Sequence, residues 1–166
     1  MRFMFDTNVY DELLADPETC ELLLQALQSG RVRVVRTHVE EDELGRVCDV
    51  ARRSALLAIW TSLGSAKTPT TAAVWGVSKW GGATWTGAAD RDRLERLRRG
   101  NPKHTRDAIL TLTAAANVDV FVTQEARRSG GLPRRASSAD VHIPMWTFAQ
   151  LRDYLRQLDT IQAGEA

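Results

Sequence analysis

The chain begins with an apolar run, Phe3-Met4-Phe5, that stops abruptly at Asp6. This pattern predicts a short buried strand over 2–5, a turn at Asp6-Thr7-Asn8 and a first helical turn or two over Val9–Leu14. Asp16-Pro17 then has the form of an N-cap followed by proline at the first helical position. Leu22, Leu23, Ala26 and Leu27 recur at helical spacing, and Gly30 closes that helix. From Arg31 to Arg36 the period shortens to two, with Val32 and Val34 on one side, as in a strand. Thr37-His38-Val39-Glu40 is a capping box, and the helix it opens is predicted to run to about Trp60. Its apolar stripe is Val39, Leu44, Val47, Cys48, Ala51 and Ala55.

The pattern fails over 61–89, a stretch rich in Gly, Thr, Ser and Ala that carries Trp75, Trp80 and Trp85. It reads as a long irregular insertion with at most one weak helix, and loops of that length are usually functional or disordered. The tryptophans are expected to anchor the loop on the core or to form an interface, the commoner uses of the residue. Stacking on unpaired bases is the less common one. Asp90–Arg99 is a charged, solvated helix with internal ion pairs to Asp92 and Glu95, closed by Gly100. Asn101-Pro102 breaks the chain, and Thr105 is placed to cap a nearly all-apolar, hence central, helix over 106–116. Val118–Val122 is a β-branched and aromatic strand. A Gly/Arg/Ser loop over 126–139 leads to a further strand at Val141-His142-Ile143. Thr147–Gln150 is a capping box that opens the last amphipathic helix, with a frayed tail from Thr160. Alternating strands and helices imply an α/β sandwich around a largely parallel sheet. The chain reads as one domain over 1–160 with an insertion at about 61–100 and a tail over 161–166.

Composition adds limits. Hydrophobic content of 43% and charged content of 26% describe a globular protein with its own core. Cys20 and Cys48 lack metal or redox spacing and read as reduced packing residues. The first apolar run is too short for a signal peptide and no segment is long enough to span a bilayer, so a cytoplasmic location and no membrane partner are expected. The net charge of +1 conceals an asymmetry: residues 1–60 hold 7 Lys/Arg against 11 Asp/Glu, and residues 91–135 hold 11 against 5. An acidic half beside a basic half suits a site for cations next to a surface for a polyanion.

In open parallel sheets function gathers at the carboxyl ends of the strands. Asp6 ends the first strand, Glu125 lies just past Thr123 at the end of the 118–122 strand, and Asp107 sits in the first turn of the central helix. A fourth acid comes from Glu40-Glu41-Asp42-Glu43. Glu43 is four residues from both Val39 and Val47 and so leans toward the buried side. Glu40 also leans inward but is accounted for by the capping box, which leaves it second choice. Each acid has a plain structural role as well: Asp6 as a helix cap, Asp107 opposing a helix dipole, Glu43 and Glu125 in solvent. As a set they imply more. Two carboxylates about 4 Å apart at an effective dielectric near 20 repel by about 4 kcal/mol. Such a cluster binds protons or cations, and all-oxygen ligands favour Mg²⁺ or Mn²⁺. The chemistry that follows is metal-assisted phosphodiester hydrolysis.

With these residues in place the chain resembles a PIN-domain nuclease over most of its length, the insertion at about 61–100 excepted. The resemblance rests on "FDTNV", on "RTHVEEDEL" with its acid before a leucine, on "KHTRDAILTLTAAANVDVFVTQE" and on "VHIPMWTFAQL". It implies a three-layer α/β/α fold with a central, mainly parallel sheet and a Mg²⁺- or Mn²⁺-dependent ribonuclease activity. Many members are toxins of toxin–antitoxin pairs, which adds an antitoxin protein and a homodimer as possible partners. It also implies Asp6, Glu43, Asp107 and Glu125 as catalytic and metal-binding residues. The departure is Glu125, where the family usually has aspartate; a longer arm still ligates a cation, or else marks altered metal occupancy or lost activity. Asn8 and Thr123 are expected to orient the site by hydrogen bonds.

Arg127, Arg128, Arg134 and Arg135 follow Glu125, and Arg106 precedes Asp107, so these arginines are the candidate RNA contacts. Three readings stand: a metal-dependent endoribonuclease, a catalytically weak or inactive PIN-like module that binds RNA or protein, and a phosphohydrolase of small esters. The arginines favour a polymeric substrate over the third.

Overall fold

The computed structural model describes residues 1–64, 67–127 and 131–165. Four short strands form the sheet: β1 (Arg2–Phe5), β2 (Arg33–Val35), β3 (Val120–Val122) and β4 (Met145–Trp146). Their order is β2-β1-β3-β4 and every pairing is parallel. The register sets Met4 opposite Val35 on one side and Phe121 on the other.

The sheet is short but covered on both faces, as parallel sheets require. Phe3, Phe5, Val120 and Val122 point to one side, into a core shared with α1 (Thr7–Ala15), α2 (Pro17–Gln28), α4 (Val50–Ser62) and α8 (Phe148–Glu165). Met4 and Phe121, one residue out of phase, point to the other. There they meet α5 (Ala88–Arg98), α6 (Thr105–Asn117) and α7 (Leu132–Ser138). Val39 of α3 (His38–Leu44) joins this second core. The result is a three-layer α/β/α fold, as expected. No helix among the described residues is long and apolar enough to cross a membrane.

Several elements differ from the pattern-based expectation. The helix read as continuous from residue 38 to about 60 is two helices, because Gly45 caps α3 and the Asp49 side chain opens α4 by accepting from the Arg52 N–H at 2.8 Å. Cys48 lies in the exposed link between them and is not a packing residue, whereas Cys20 is half-buried; both are free thiols. Thr105 is the first residue of α6 rather than its cap, since a 3₁₀ turn over Pro102–His104, capped by Asn101, leads into it. The loop expected over 126–139 holds α7, with Pro133 in its first turn. The last strand is Met145–Trp146, not Val141–Ile143: Phe121 and Thr123 donate to the Pro144 and Trp146 carbonyls at 2.9 and 2.8 Å, which fixes the register downstream. The final helix continues to Glu165 instead of fraying from Thr160.

The insertion has no helix among its described residues up to Ala88. It is held by an isolated bridge between Thr70 and Ala83, and by Thr71 N–H donating to Thr113 Oγ1 of α6 at 3.1 Å. Ala72, Val74 and Val77 supply its apolar anchor. The tryptophans do not: all three stand in solvent, which removes the first of their two expected uses, anchoring on the core, and leaves the interface use untouched.

Candidate functional site

The chain runs from β1 outward to β2, then crosses back over β1 to β3. The carboxyl ends of β1 and β3 therefore flank the point where strand order reverses, the usual position of a crevice in such sheets. Asp6 follows β1 and Thr123 follows β3, and the Asp6 N–H still donates to the Val122 carbonyl at 2.9 Å. Ladder geometry thus delivers both residues to one place.

The Asp6 carboxylate is 8% exposed and fully engaged. Oδ1 accepts from the Thr7 N–H at 2.8 Å, capping α1, while Oδ2 accepts from Asn8 Nδ2 and Thr123 Oγ1, both at 2.7 Å. The capping role and the site role coexist in one side chain. Burial pushes its pKa up to about 6. The Thr123 and Thr7 hydrogen bonds pull it down, and the charges of Asp107 and Glu43 push it up again.

Glu43 faces the same space from α3. Its Oε2 accepts from Thr7 Oγ1 at 2.9 Å, and its Oε1 lies 3.6 Å from Arg106 Nη1. Burial foremost, and the charge of Asp107 in addition, raise its pKa. Asp107 is thus felt by both other acids and stands between them electrostatically. Its own Oδ2 accepts from Arg135 Nη2 at 3.1 Å, and the same nitrogen lies 3.3 Å from Glu125 Oε2. Glu125 is linked back to Asp6 through Thr123, whose Oγ1 accepts the Glu125 N–H at 3.1 Å and donates to Asp6.

The structure therefore brings Asp6, Glu43, Asp107, Glu125, Asn8 and Thr123 together. Arg106 and Arg135 join them as counter-charges. Arg134 points to solvent one residue earlier on α7; Arg127 closes a 3₁₀ turn over Gln124–Arg127; Arg128 lies outside the described residues. Glu40, the second choice, is buried away from this cluster: its carboxylate closes the Thr37 capping box and accepts from the Tyr10 hydroxyl at 3.2 Å. Burial pushes its pKa up to about 8, against hydrogen bonds that favour the charged form.

Sequence reasoning missed Thr7, whose hydroxyl ties Glu43 to the Asp6 turn. Its signal was its place beside an aspartate at a strand end. It also missed that Arg135 turns inward. The Arg135 side chain is buried and its Nη1 has no hydrogen-bond partner among the described residues. Its guanidinium occupies the gap between Asp107 and Glu125.

The donor set is made of carboxylate oxygens whose charges repel, which fits Mg²⁺ or Mn²⁺. Among the described residues no three His, Cys, Asp or Glu side chains close into ready ligand geometry. Arg135 supplies the reason on one side: it already neutralises two of the four acids. Asp6 and Glu43, with Asp107 between them, remain the pair with raised pKa values, although Arg106 pairs with Glu43 at 3.6 Å and the charge of Arg46 also favours its ionised form.

No family profile, curated protein or solved structure matches this chain.

Proposed function

We propose that the protein is a divalent-metal-dependent endoribonuclease of the PIN-domain type, hydrolysing RNA phosphodiester bonds. The observation that supports this best is the convergence of Asp6, Glu43 and Asp107, remote in sequence, at the carboxyl ends of β1 and β3, with the Asp6 carboxyl pushed up to about 6. Burial is the main cause of that rise and the charges of Asp107 and Glu43 add to it; a bound cation would offset both.

On this reading Asp6, Glu43 and Asp107 would hold Mg²⁺ or Mn²⁺, with Glu125 as the fourth carboxylate beside them. The ion, when bound, supplies Lewis acidity toward water and phosphate oxygens. Thr123, Asn8 and the Thr7 N–H keep Asp6 in one orientation, and the Thr7 hydroxyl does the same for Glu43. Arg135 bridges Asp107 and Glu125 through Nη2, and its buried Nη1, which has no hydrogen-bond partner among the described residues, is a donor for a phosphate oxygen that enters the cluster. Arg106 and Arg134 add charge for the backbone on either side. The resemblance further supports a toxin role, with an antitoxin protein and a second copy of the chain as partners.

The test is cleavage of labelled single-stranded RNA by purified protein with Mn²⁺, with EDTA, and as Asp6→Asn. Cleavage is expected in Mn²⁺ alone, with Asp6→Asn reducing it at least a hundredfold. Cleavage that EDTA and the substitution both leave intact would overturn the proposal. The second reading, an RNA- or protein-binding module, is favoured by one observation: Arg135 already compensates Asp107 and Glu125. Binding without cleavage would select it. Turnover of small phosphate esters but not RNA would select the third.

A further inference from the structure

The proposed chemistry leaves the insertion unused, and the insertion is where the molecule breaks an ordinary rule. Trp75, Trp80 and Trp85 are 95%, 96% and 92% exposed. A single exposed ring is ordinary, but three bare indoles within eleven residues concentrate apolar surface in one segment.

Their presentation is built. Trp75 is the second residue of a four-residue turn in which Val77 N–H donates to the Val74 carbonyl at 3.1 Å, and Gly76 follows it with φ +77°. Trp80 repeats the device: Gly82 N–H donates to the Lys79 carbonyl at 2.9 Å, and Gly81 has φ +72°. That left-handed third position is one glycine adopts at no steric cost. Trp85 sits between two anchored residues, Thr84, whose N–H donates to the Thr70 carbonyl at 2.8 Å, and Thr86, whose Oγ1 accepts the Ala73 N–H at 2.9 Å. The backbone under each ring is therefore held while the ring itself is free.

The platform is also fastened beside the acids. Lys79 Nζ pairs with Asp42 Oδ1 at 2.5 Å and Lys67 Nζ with Glu41 Oε2 at 2.6 Å, both on α3. Asp42 is the residue next to Glu43. Gly82 lies directly against the His38 ring at the start of that helix.

We propose that the 67–87 insertion is a stacking platform on which Trp75, Trp80 and Trp85 take the unpaired bases of a single-stranded RNA that leads to the acid cluster. The RNA itself rests on the function proposed above; the choice of single strand and of base faces rests on the insertion. Two features suit the segment to bases. No ring–ring contact involves any of the three among the described residues. None of the three is therefore stacked on another ring, and each keeps its faces open to a base. Residues 67–87 contain no acid, and their two lysines, paired with Glu41 and Asp42, offset the charge of α3 beneath the platform, so the segment itself does not repel a phosphate backbone.

The experiment uses the full chain in EDTA, which separates binding from cleavage. Affinity for a fluorescein-labelled, unstructured RNA 12-mer is measured by anisotropy for the wild type, for Trp75→Ala, Trp80→Ala and Trp85→Ala, and for the three Trp→Phe variants. Each alanine is expected to weaken binding at least fivefold, phenylalanine to restore most of it, and a duplex of equal length to bind more weakly. Circular dichroism is expected to be unchanged, since the rings support no core. Equal affinity across the alanine variants would overturn the platform, and would leave the nuclease reading standing if Mn²⁺-dependent cleavage persists. Tryptophan-dependent binding with no cleavage under Mn²⁺ supports the platform and overturns the nuclease reading instead. Alanine variants that lose self-association or vesicle binding, with RNA affinity unchanged, assign the surface to a second copy or a membrane and overturn the proposal.

Discussion

At the scale of single residues, Asp6 carries a conflict between stability and the proposed function. Its carboxylate is buried, hydrogen-bonded on both oxygens and still raised to about 6. Above that pH the folded state holds a charge it disfavours. Asp6→Asn removes the charge and keeps an acceptor for the Thr7 N–H, while its new NH₂ can donate to a turned Thr123 hydroxyl but opposes the Asn8 amide, a mismatch present at every pH. Relative to that fixed mismatch, the substitution is expected to raise the unfolding free energy by about 1–3 kcal/mol at pH 8 without metal, scaled at 1.36 kcal/mol per unit of pKa. The gain should vanish below pH 4, where Asp6 is protonated in both folded and unfolded chains. Urea denaturation at the two pH values checks it. A substitution no more favourable at pH 8 than below pH 4 would mean that the Asp6 charge is satisfied by its hydrogen bonds, leaving no need for a cation.

At the scale of elements, the packing of the insertion on α3 is the least forgiving contact. A Cβ added to Gly82 would come 2.9 Å from His38 Nδ1 and 3.4 Å from Cγ. The ring is buried, so it has little room to withdraw. Gly82→Ala is expected to cost about 1–3 kcal/mol, as overpacking does. The loss should appear as faster amide exchange over 67–87 and α3 ahead of β1 and β3, because the clash lies at their junction and not in the sheet. Uniform exchange across the chain would contradict that assignment. Helix boundaries teach a related lesson. Val39, Val47 and Ala51 keep helical spacing across Gly45–Asp49, so periodicity alone joins α3 to α4. The break is decided by two local competitors, the Gly45 cap and the Asp49 side chain, which outweigh one or two turns of marginal helix. The strand at 145–146 was misplaced for a different reason. Val141–Ile143 has better strand composition, but the hydrogen bonds offered by β3 fall opposite Pro144 and Trp146.

At the scale of the whole molecule, two buried acids set the pH response. Both Asp6 and Glu40 have folded pKa values raised above their ordinary carboxylate range, to about 6 and about 8. A raised carboxyl means that the folded state binds more protons than the unfolded one. Its contribution is therefore fully present below about pH 4 and lost as pH rises through the folded value. The metal-free protein is expected to lose stability between about pH 4 and pH 8, the later part of the fall belonging to Glu40. A ligand that binds only the folded state adds RT ln(1 + [L]/Kd), about 2.7 kcal/mol at a hundredfold excess over Kd. Millimolar Mn²⁺ is therefore expected to raise the melting temperature at pH 8, much less at pH 5 where Asp6 is protonated, and not at all in Asp6→Asn. A metal effect equal at both pH values, or unchanged by the substitution, would place the ion elsewhere.

The sequence by itself determined the α/β class, the strand that ends at Asp6, the central helix that opens near Asp107 and the acids at strand ends. These follow from local rules: a period of two or 3.6, capping residues, and the abrupt end of an apolar run. That Glu43 and not Glu40 faces the cluster was legible only in part: the capping box already occupies Glu40 and Val39 shares α3 with Glu43, but Val47, the other residue of the four-residue spacing, lies beyond the end of that helix. Only the tertiary structure decided how the acids are partnered. Arg134 and Arg135 are adjacent and chemically identical in sequence, yet one turns to solvent and the other buries its guanidinium between Asp107 and Glu125. The tryptophans likewise show nothing in sequence of whether they face the core, since an irregular segment has no period from which to read a face. Pairing across long separations depends on where elements pack, and no local pattern carries that information.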